Sequence, residues 1–299
     1  MQNKGIEPLF YIITPSYNRP ELLERAINSV IRQNYPNWQL YIVDDGSLPE
    51  TLVRLYDIEK LDERIKVYFL PKNQGVNFVR NFALNRIMET TQDGYITFLD
   101  DDDQLVEGSL EAISDVIKTQ PRLSWIIGNC IDLSGKLITK IKSYGKGNYI
   151  DDYMFSSNLR RDAMHVISIQ AIGEHRFTKE FRNSEEWIWF LSIAKKTDFY
   201  SVNQNWKWVD YQDTGLSAKK VNDDKKLRVL QLKEQLSHDL KPAYLAEQRM
   251  LLAREYFKKQ AIKPGMKKLK QAFPLMWHAP KWYQILLLGV FRWALAWKK

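Results

Sequence analysis

Hydrophobic residues in the first 120 positions follow two alternating spacings. Short runs of β-branched and aromatic residues are typical of buried strands, and the apolar residues between them recur at the three- and four-residue spacing of helices. The predicted strands are Leu9–Thr14, Trp38–Val43, Ile65–Leu70 and Tyr95–Leu99, and the predicted helices are Glu21–Gln33, Pro49–Ile58, Asn77–Met88 and Ser109–Lys118. This alternation predicts an α/β fold, with a mostly parallel sheet flanked by helices.

The pattern is less regular in the next hundred residues. We predict a hairpin, a polar loop, three further strands and one helix. In chain order these are the hairpin of Ser124–Ile131 and Lys136–Lys142, the loop Tyr144–Asp152, the strand His165–Ile172, the helix Glu185–Lys196, and the strands Phe199–Val202 and Trp206–Tyr211. Together with the first half, they predict one domain of residues 1–217.

A helical pattern follows that domain. Asp223–Leu240 and Ala243–Gln260 are amphipathic stretches separated by Pro242. They predict a helical extension of residues 218–262.

Residues 263–299 predict an amphipathic, tryptophan-rich final helix. Its apolar stretch from Trp282 to Trp297 is shorter than the ~20 residues that span a bilayer, and Arg292 interrupts it. Tryptophan together with flanking Lys or Arg is typical of the membrane interface. We therefore expect this helix to lie on a membrane surface; the alternative is a last helix that packs on the protein itself.

Charge separates the same two regions. The net charge is +8, yet from Lys219 onward 19 Lys and Arg face 6 Asp and Glu, which leaves 25 against 30 for the first 218 residues. A basic tail on an acidic body is typical of contact with nucleic acid, anionic lipid or only water. The single cysteine, Cys130, excludes a disulfide framework and a multi-cysteine zinc site. The apolar run Leu9–Ile13 is too short for a signal peptide, so we expect none.

Four consecutive acids follow the predicted strand Tyr95–Leu99. Carboxylates at contact distance repel one another, so Asp100, Asp101, Asp102 and Asp103 predict a bound cation. Mg²⁺ and Mn²⁺ take oxygen ligands, often one or two carboxylates together with substrate phosphates. The alternative is an acidic helix N-terminus without a metal.

Two other predicted strands also end in polar sequences. Pro15-Ser16-Tyr17-Asn18 follows the first strand, and Asp44-Asp45-Gly46-Ser47 follows the second. In open parallel sheets, ligands bind beyond the carboxyl ends of the strands. We expect these two sequences and the four acids to meet at one edge of the sheet.

These motifs, in this order, carry a family resemblance. The first of them extends to Arg19, and two further segments belong with them: Asn73-Gln74-Gly75 with Arg80-Asn81, and Ser184-Glu185-Glu186-Trp187. The five segments resemble those of the inverting, nucleotide-sugar-dependent glycosyltransferases of family 2, which have the GT-A fold. The resemblance covers residues 1–217 and implies a nucleotide-binding half of about 1–103 and an acceptor half of about 104–217.

The resemblance implies roles for individual residues. Asp102 would hold Mn²⁺ or Mg²⁺, Asp100 would contact ribose or the water shell of the metal, and Asp101 is the variable middle position. Tyr17 would stack on the base or, alternatively, pack in the core, and Arg80 would meet a phosphate, an acidic partner or only solvent. The residues expected to bind the donor nucleotide are Pro15, Tyr17, Asn18, Asp44, Asp45, Asn73, Arg80, Asp100 and Asp101.

The catalytic base departs from the family pattern. Where the family has Glu-Asp-Trp, this chain has Glu185-Glu186-Trp187. Glu186 is the expected base and Glu185 the second candidate, because either carboxylate can accept a proton. The alternative is that both are first-turn acids of a helix. The resemblance also implies that Gln212–Ser217 closes over the diphosphate.

The expected function is that of a membrane-associated glycosyltransferase. It would move a sugar from a UDP-linked donor to a saccharide or lipid-linked acceptor in bacterial cell-surface polysaccharide or lipopolysaccharide synthesis, at the cytoplasmic face of the plasma membrane. One alternative is a metal-dependent nucleotidyltransferase, although the N-terminus lacks a glycine-rich, lysine-containing phosphate loop. The other is a non-catalytic protein whose basic tail binds nucleic acid or membrane; the apolar last helix argues against nucleic acid.

Overall fold

The computed structural model describes residues 7–120, 122–183, 185–211 and 223–297. The chain divides into two compact units, Met1–Leu216 and Ser217–Lys299. The first unit contains the sheet, and the second is helical.

The first unit alternates strands and helices as the hydrophobic spacing predicts. Its strands are β1 (Phe10–Ser16), β2 (Trp38–Asp44), β3 (Ile65–Phe69), β4 (Tyr95–Phe98), β5 (Gln104–Leu105), β6 (Trp125–Asp132), β7 (Lys140–Ile141), β8 (Gly145–Gly147), β9 (Leu159–Arg160), β10 (Ala163–Ser168) and β11 (Phe199–Val209). Its helices are α1 (Pro20–Ile31), α2 (Pro49–Glu59), α3 (Val76–Thr90), α4 (Ser109–Thr119), α5 (Ile169–Ile172) and α6 (Trp187–Ala194).

One mixed sheet organises these strands in the order β3-β2-β1-β4-β10-β6-β11-β5, with β8 also paired to β11. The first four of these strands are mutually parallel, and β10 runs antiparallel to both β4 and β6. Strand β1 is nearly fully buried, and α1 packs on it with Leu23, Ala26, Ile27 and Val30. This is the mixed α/β fold that the sequence predicts.

The parallel strands bring the polar strand ends together. Ser16 at the end of β1 lies opposite Asp44 at the end of β2, and Ile13 of β1 lies opposite Phe98 of β4. The residues that follow β1, β2 and β4 therefore share one edge of the sheet, which we call the rim.

The less regular region differs from the prediction in four places. The two strands predicted at Phe199–Val202 and Trp206–Tyr211 form one strand, β11. The predicted hairpin is reduced to a bridge between Ile131 and Leu137, because β7 pairs with β9 instead of β6. The predicted loop contains β8 and leads into a π-helical turn, Ile150–Phe155. The predicted strand His165–Ile172 ends at Ser168, where α5 begins, because the Ser168 hydroxyl accepts from the Ala171 amide and caps that helix.

The second unit contains α7 (Asp223–Leu236), α8 (Pro242–Lys258), α9 (Ile262–Met276) and α10 (Pro280–Trp297). The expected single helix in residues 263–299 is thus two helices, α9 and α10, separated by residues 277–279. Among the described residues, no helix is both long and apolar enough to cross a membrane.

Phe257 of α8 joins the last three helices. Its ring is fully buried, and a Cβ on Gly265 of α9 or on Gly289 of α10 would lie within 2.5 and 2.7 Å of that ring. Close helix packing at this point therefore depends on both glycines. Ile285 and Trp282 of α10 are buried in the same cluster.

The other side of α10 is apolar and exposed. Tyr283, Leu287, Val290 and Phe291 recur at three- and four-residue spacing, and Leu287 is 67% exposed. We call these four residues the outer stripe. One face of α10 packs on its own unit, as the second alternative predicts. The opposite face is uncovered, as a helix on a membrane surface would require.

Candidate functional site

The four acids after β4 alternate between two environments. The side chains of Asp100 and Asp102 are 44% and 18% exposed, whereas residues Asp101 and Asp103 are 2% and 4% exposed. Asp101 and Asp102 lie in a turn, which the Asp103 amide closes by donating to the Asp100 carbonyl at 3.0 Å. Only Asp100 and Asp102 therefore face outward from the rim.

Arg19 neutralises the middle of the tetrad. One guanidinium nitrogen lies 2.5 Å from Asp101 Oδ1, and the other donates to Asp102 Oδ2 at 2.8 Å. Burial raises the pKa of Asp101 to about 8, against the lowering effect of Arg19. Asp101 thus has a partner inside the protein, although the sequence assigned it to donor binding.

Asp103 has a structural role at the start of β5. Its Oδ2 accepts from Lys207 Nζ of β11 at 2.6 Å, and its Oδ1 accepts from the Asp210 amide at 3.3 Å. Burial raises the pKa of Asp103, while Lys207 opposes that shift. The last acid of the tetrad therefore fastens the rim to β11.

Arg80 of α3 connects the tetrad to the predicted base. Its side chain is only 5% exposed; it donates to Asp100 Oδ1 at 2.9 Å and also pairs with Glu186. The guanidinium lies over the rings of Phe98 and Phe177, at 5.4 and 5.5 Å from their centroids. Of the three expected partners for Arg80, the structure provides the acidic one.

Burial alone would raise the pKa of Asp100, but the positive charges of Arg80, Lys207 and Arg19 outweigh it and lower the pKa. Asp100 is therefore an ionised carboxylate at neutral pH. One of its oxygens accepts from Arg80, and its charge suits it to contact a metal ion.

The turn after β2 uses its two acids internally. Asp44 Oδ2 accepts from the amides of Gly46 and Ser47, at 3.1 and 2.9 Å. Asp45 accepts from the amides of Gln74 and Gly75, at 2.6 and 2.8 Å. Burial raises the pKa of Asp45 against those two hydrogen bonds.

One atom of this turn has no partner among the described residues. Asp44 Oδ1 is buried and lacks a hydrogen bond within the protein. Buried polar atoms are nearly always paired, so an orphan of this kind points to a ligand or water. It is the one observation in the turn that favours the expected nucleotide contact of Asp44.

Glycines are required where these turns meet. Gly46 has φ +76°, and a Cβ there would lie 2.5 Å from the carbonyl carbon of Lys72. Gly75 has φ +93°, and a Cβ there would lie 2.8 Å from the Arg182 carbonyl oxygen. The Asp-Asp-Gly and Asn-Gln-Gly segments therefore fit together only with hydrogen at these two positions.

The turn after β1 leaves one ring exposed. Tyr17 is 46% exposed, which excludes core packing and leaves its ring available for stacking. Asn18 lies in the left-handed region and ties the two turns together, since its amide donates to the Ser47 hydroxyl and its side chain accepts from the Leu48 amide. Pro15 is half-buried in β1, opposite Val43.

Arg182 fixes the segment around Asn73. It donates to the Asn73 side chain at 2.8 Å, to the Asn73 carbonyl at 2.9 Å and to the Gln74 carbonyl at 3.2 Å. Asn183 accepts from the Val76 amide at the start of α3. Asn73, which we expect to bind the sugar donor, is thus bonded to Arg182, a residue of the segment that leads into the predicted catalytic base.

The two glutamates differ in environment. Glu186 directly precedes α6 and makes no side-chain capping hydrogen bond; its side chain is 47% exposed and pairs with Arg80. Glu185 has φ +67°, and its carboxylate accepts from Trp187 Nε1 at 2.7 Å. A non-glycine residue in this conformation is uncommon and such residues cluster at functional sites. Glu186 pairs with Arg80, which also pairs with Asp100 of the tetrad.

His165 lies apart from this chemistry. It accepts from Trp125 Nε1 at 3.0 Å and stacks on Phe190 at 4.2 Å between centroids. Burial lowers the pKa of His165 to about 3. It is a neutral histidine of an aromatic cluster, which matches the structural role that lone histidines usually have.

The outward-facing carboxylates fit a divalent cation. Within the described ranges no group of three or more His, Cys, Asp or Glu could hold a metal by itself. Mg²⁺ and Mn²⁺ commonly use one or two carboxylates and complete their shell with phosphate and water. Asp102 and Asp100 provide such a pair; Mn²⁺ or Mg²⁺ at Asp102 stays a prediction.

Sequence reasoning missed three cations, namely Arg19, Lys207 and Arg182. Arg19 is the last residue of the segment Pro15-Ser16-Tyr17-Asn18-Arg19 that resembles the family turn, but no role was inferred for it from the sequence. The expected diphosphate loop Gln212–Ser217, and Ser184 of the base motif, lie outside the described residues.

Comparison with known proteins gives one family. The model of a family described as "Glycosyl transferase family 2" matches residues 11–180, more than half of the chain. The match includes the rim and Arg80 and ends just before Glu185.

Curated relatives agree with that match. The chain is 29% identical over 204 residues to the GalNAc(5)-diNAcBac-PP-undecaprenol beta-1,3-glucosyltransferase of Campylobacter jejuni, covering 64% of this chain and 62% of that protein. It is 28% identical over 198 residues to the UDP-Glc:alpha-D-GlcNAc-diphosphoundecaprenol beta-1,3-glucosyltransferase WfgD of Escherichia coli, covering 65% and 73%. The chain therefore spans less than two thirds of the first of these relatives.

Solved structures share the fold. The structure of S. aureus TarS 1–349 in complex with UDP-GlcNAc matches with a TM-score of 0.65 at 17% identity, covering 95% of this chain and 81% of that one. At this identity the likeness shows the architecture alone.

Proposed function

The chain belongs to glycosyl transferase family 2, and we propose that it transfers a sugar from a UDP-linked donor to a saccharide or lipid-linked acceptor with inversion. The names of the two curated relatives support this choice. Both are called beta-1,3-glucosyltransferases with undecaprenol diphosphate-linked acceptors, and one is named for UDP-Glc. Bacterial cell-surface polysaccharide or lipopolysaccharide synthesis is the matching context.

The position of Arg80 carries the proposal. It touches both Asp100 of the tetrad and Glu186 of the base motif. A transferase needs its donor site and its base within reach of one reacting carbon. A buried guanidinium that touches both carboxylates fixes that separation.

Each residue then has a step. The acceptor hydroxyl gives its proton to Glu186, its oxygen bonds to the anomeric carbon, and the bond from that carbon to the diphosphate breaks with its electron pair on the departing oxygen. Attack from the side opposite the leaving group inverts the carbon. Tyr17 stacks on the nucleobase of the donor. Asp44 Oδ1, which has no partner among the described residues, accepts a hydrogen bond from the nucleotide.

A divalent cation completes the donor side. Asp102 would hold Mn²⁺ or Mg²⁺ with Asp100 beside it, and the ion would supply positive charge to the leaving diphosphate. Arg19 and Arg80 position these two carboxylates before any donor arrives.

A screen of nucleotide sugars for hydrolysis, with Mn²⁺ and with Mg²⁺, tests the proposal. We expect UDP-sugar turnover that requires the metal. Asp102→Asn should abolish that turnover with an unchanged circular dichroism spectrum. A folded and fully active Asp102→Asn enzyme would refute the assigned metal site, and turnover of nucleoside triphosphates instead of sugar donors would refute the proposed reaction.

We also propose that the second unit binds an anionic membrane surface and that this surface is the cytoplasmic face of the plasma membrane. The outer stripe of α10 leaves large apolar side chains uncovered. Four lysines are also exposed: Lys263, Lys267 and Lys270 of α9, and Lys281 of α10. Apolar area together with lysine is the combination that interfacial helices use.

Vesicles test this second proposal. The full chain should sediment with vesicles that contain phosphatidylglycerol and much less with neutral ones. Retention on DNA without retention on anionic vesicles would contradict it.

A further inference from the structure

Arg19 occupies the carboxylate that the proposed metal needs. Its Nη1 donates to Asp102 Oδ2 at 2.8 Å while its Nη2 lies 2.5 Å from Asp101 Oδ1. Asp102 is the outward-facing member of this pair and Asp101 the buried one. The guanidinium therefore bridges the inner and outer layers of the tetrad.

The charges of the connected ion pairs are unequal. Asp100, Asp101, Asp102, Asp103 and Glu186 pair with three cations, Arg19, Arg80 and Lys207. The five carboxyl groups outnumber the three cations by two. The cations therefore leave this set incompletely paired without metal, and a dication would add positive charge to it.

Arg19 is the cation of the three that can move. Arg80 and Lys207 have side chains 5% and 12% exposed, whereas that of Arg19 is 35% exposed. The backbone of Arg19 is fixed as the residue before α1, where its carbonyl accepts from the Leu23 amide. Its side chain can therefore leave Asp102 by rotation alone, without unfolding the helix start.

We propose that Arg19 is the counter-ion of Asp102 in the metal-free site. The divalent cation must displace Arg19 from Asp102 in order to bind. This inference rests on the proposed function, because it requires a metal at Asp102. Arg19 is a positioning residue in this scheme. It offsets the repulsion between Asp101 and Asp102 until the metal arrives, and it weakens metal binding by competing for the Asp102 carboxylate.

Titration with Mn²⁺ in the presence of UDP, followed by the electron paramagnetic resonance signal of free Mn²⁺, tests the competition. Arg19→Gln should bind Mn²⁺ about tenfold more tightly than wild type, because one charged hydrogen bond no longer has to be broken.

Arg25→Gln is the matched control. Arg25 is also on α1 and pairs with Asp210, whose amide contacts Asp103, but it does not touch Asp102. This variant removes the same charge from the neighbourhood and should change the Mn²⁺ affinity by less than about twofold. An equal gain in both variants would overturn the proposal, since general electrostatics would explain it.

Three further outcomes are decisive. Unchanged or weaker Mn²⁺ binding by Arg19→Gln, with binding lost in Asp102→Asn, would refute the role of Arg19 and leave the metal site intact. Wild type that binds no Mn²⁺ would refute both. If Arg19→Gln fails to fold, Arg19→Lys replaces it, because one ammonium cannot reproduce the two-carboxylate bridge; an Mn²⁺ affinity equal to wild type would then count against the proposal.

Melting without metal gives a second readout. Arg19→Gln should melt below wild type when EDTA is present, because buried Asp101 loses its ion pair with Arg19. Mn²⁺ with UDP should then raise the melting temperature of this variant by more than it raises that of wild type. An equal rise in both proteins would contradict displacement.

Discussion

The rim and the outer stripe of α10 are built from opposite chemistry. At the rim, acidic side chains are held by cations from other segments, so every carboxylate of the tetrad has a partner. On the outer stripe, large apolar side chains are uncovered. A charged cluster that is already paired is suited to exchanging a partner, whereas an uncovered apolar face is suited to gaining one. Of the four predictions below, those for Glu186 and for the outer stripe test this difference, and those for Phe257 and His165 test the packing behind each region.

The largest effect is expected at the base. Glu186→Gln removes the carboxylate that takes the acceptor proton, so transfer should fall roughly 10³-fold while UDP binding is kept. Product formation in saturating donor and UDP affinity by calorimetry measure the two properties. Glu185→Gln is the control, since its carboxylate is held by Trp187, and it should keep more activity. Normal transfer by Glu186→Gln would mean that another residue is the catalytic base.

The helical unit should be sensitive at its centre. Phe257→Ala leaves a cavity between Gly265 and Gly289 and should reduce the free energy of unfolding by about 3–5 kcal/mol. Leu275→Ala, at an exposed position of α9, should change it by less than about 0.5 kcal/mol. Urea unfolding followed by helix content measures both. Equal effects would mean that the three helices do not pack through Phe257.

The sequence specified the rim's components but not their partners. Strand and helix periodicity located β1–β4 and α1–α4, and the strand-end motifs gave Asp44, Asp45 and the tetrad. The cations come from distant positions, however: Lys207 is 104 residues from Asp103, and Arg19 is 83 from Asp102. Local patterns contain no information on such pairs.

Sequence patterns also did not predict the direction of β10 or the presence of the short strand β5. Strand β10 has the alternation of any half-buried strand, which does not reveal that it runs antiparallel to β4. Strand β5 has two residues, too few for a period, yet it fixes Asp103 beside β11. By contrast, the apolar face of α10 was readable, because a helix repeats its pattern over many turns.

The outer stripe should control membrane binding and nothing at the rim. Leu287→Ser with Phe291→Ser removes two exposed apolar side chains and should weaken binding to anionic vesicles by at least about tenfold. Turnover of a soluble acceptor should stay the same. Val53→Ser with Tyr56→Ser is the matched control, because it removes two exposed apolar side chains from α2 of the first unit. Equal losses in both double variants would contradict a specific membrane face.

The smallest effect concerns His165 and stability below neutral pH. Its pKa is about 3 in the folded chain, where burial disfavours the charged ring, against about 6.5 when unfolded. As the pH falls from 6.5, the unfolded chain binds a proton that the folded chain does not. His165 should therefore lower the free energy of unfolding by at most about 1.4 kcal/mol per pH unit in this range.

A matched variant isolates this contribution. Asp101, whose pKa burial raises to about 8, titrates in the opposite sense, because the folded chain binds its proton first as the pH falls. The difference between wild type and His165→Gln at pH 7 and pH 5.5 removes that background, since the variant keeps an acceptor for Trp125 Nε1 but cannot ionise. Urea unfolding should show a stability loss on acidification that is larger in wild type. Parallel curves would mean that His165 is protonated in the folded protein as readily as in the unfolded chain.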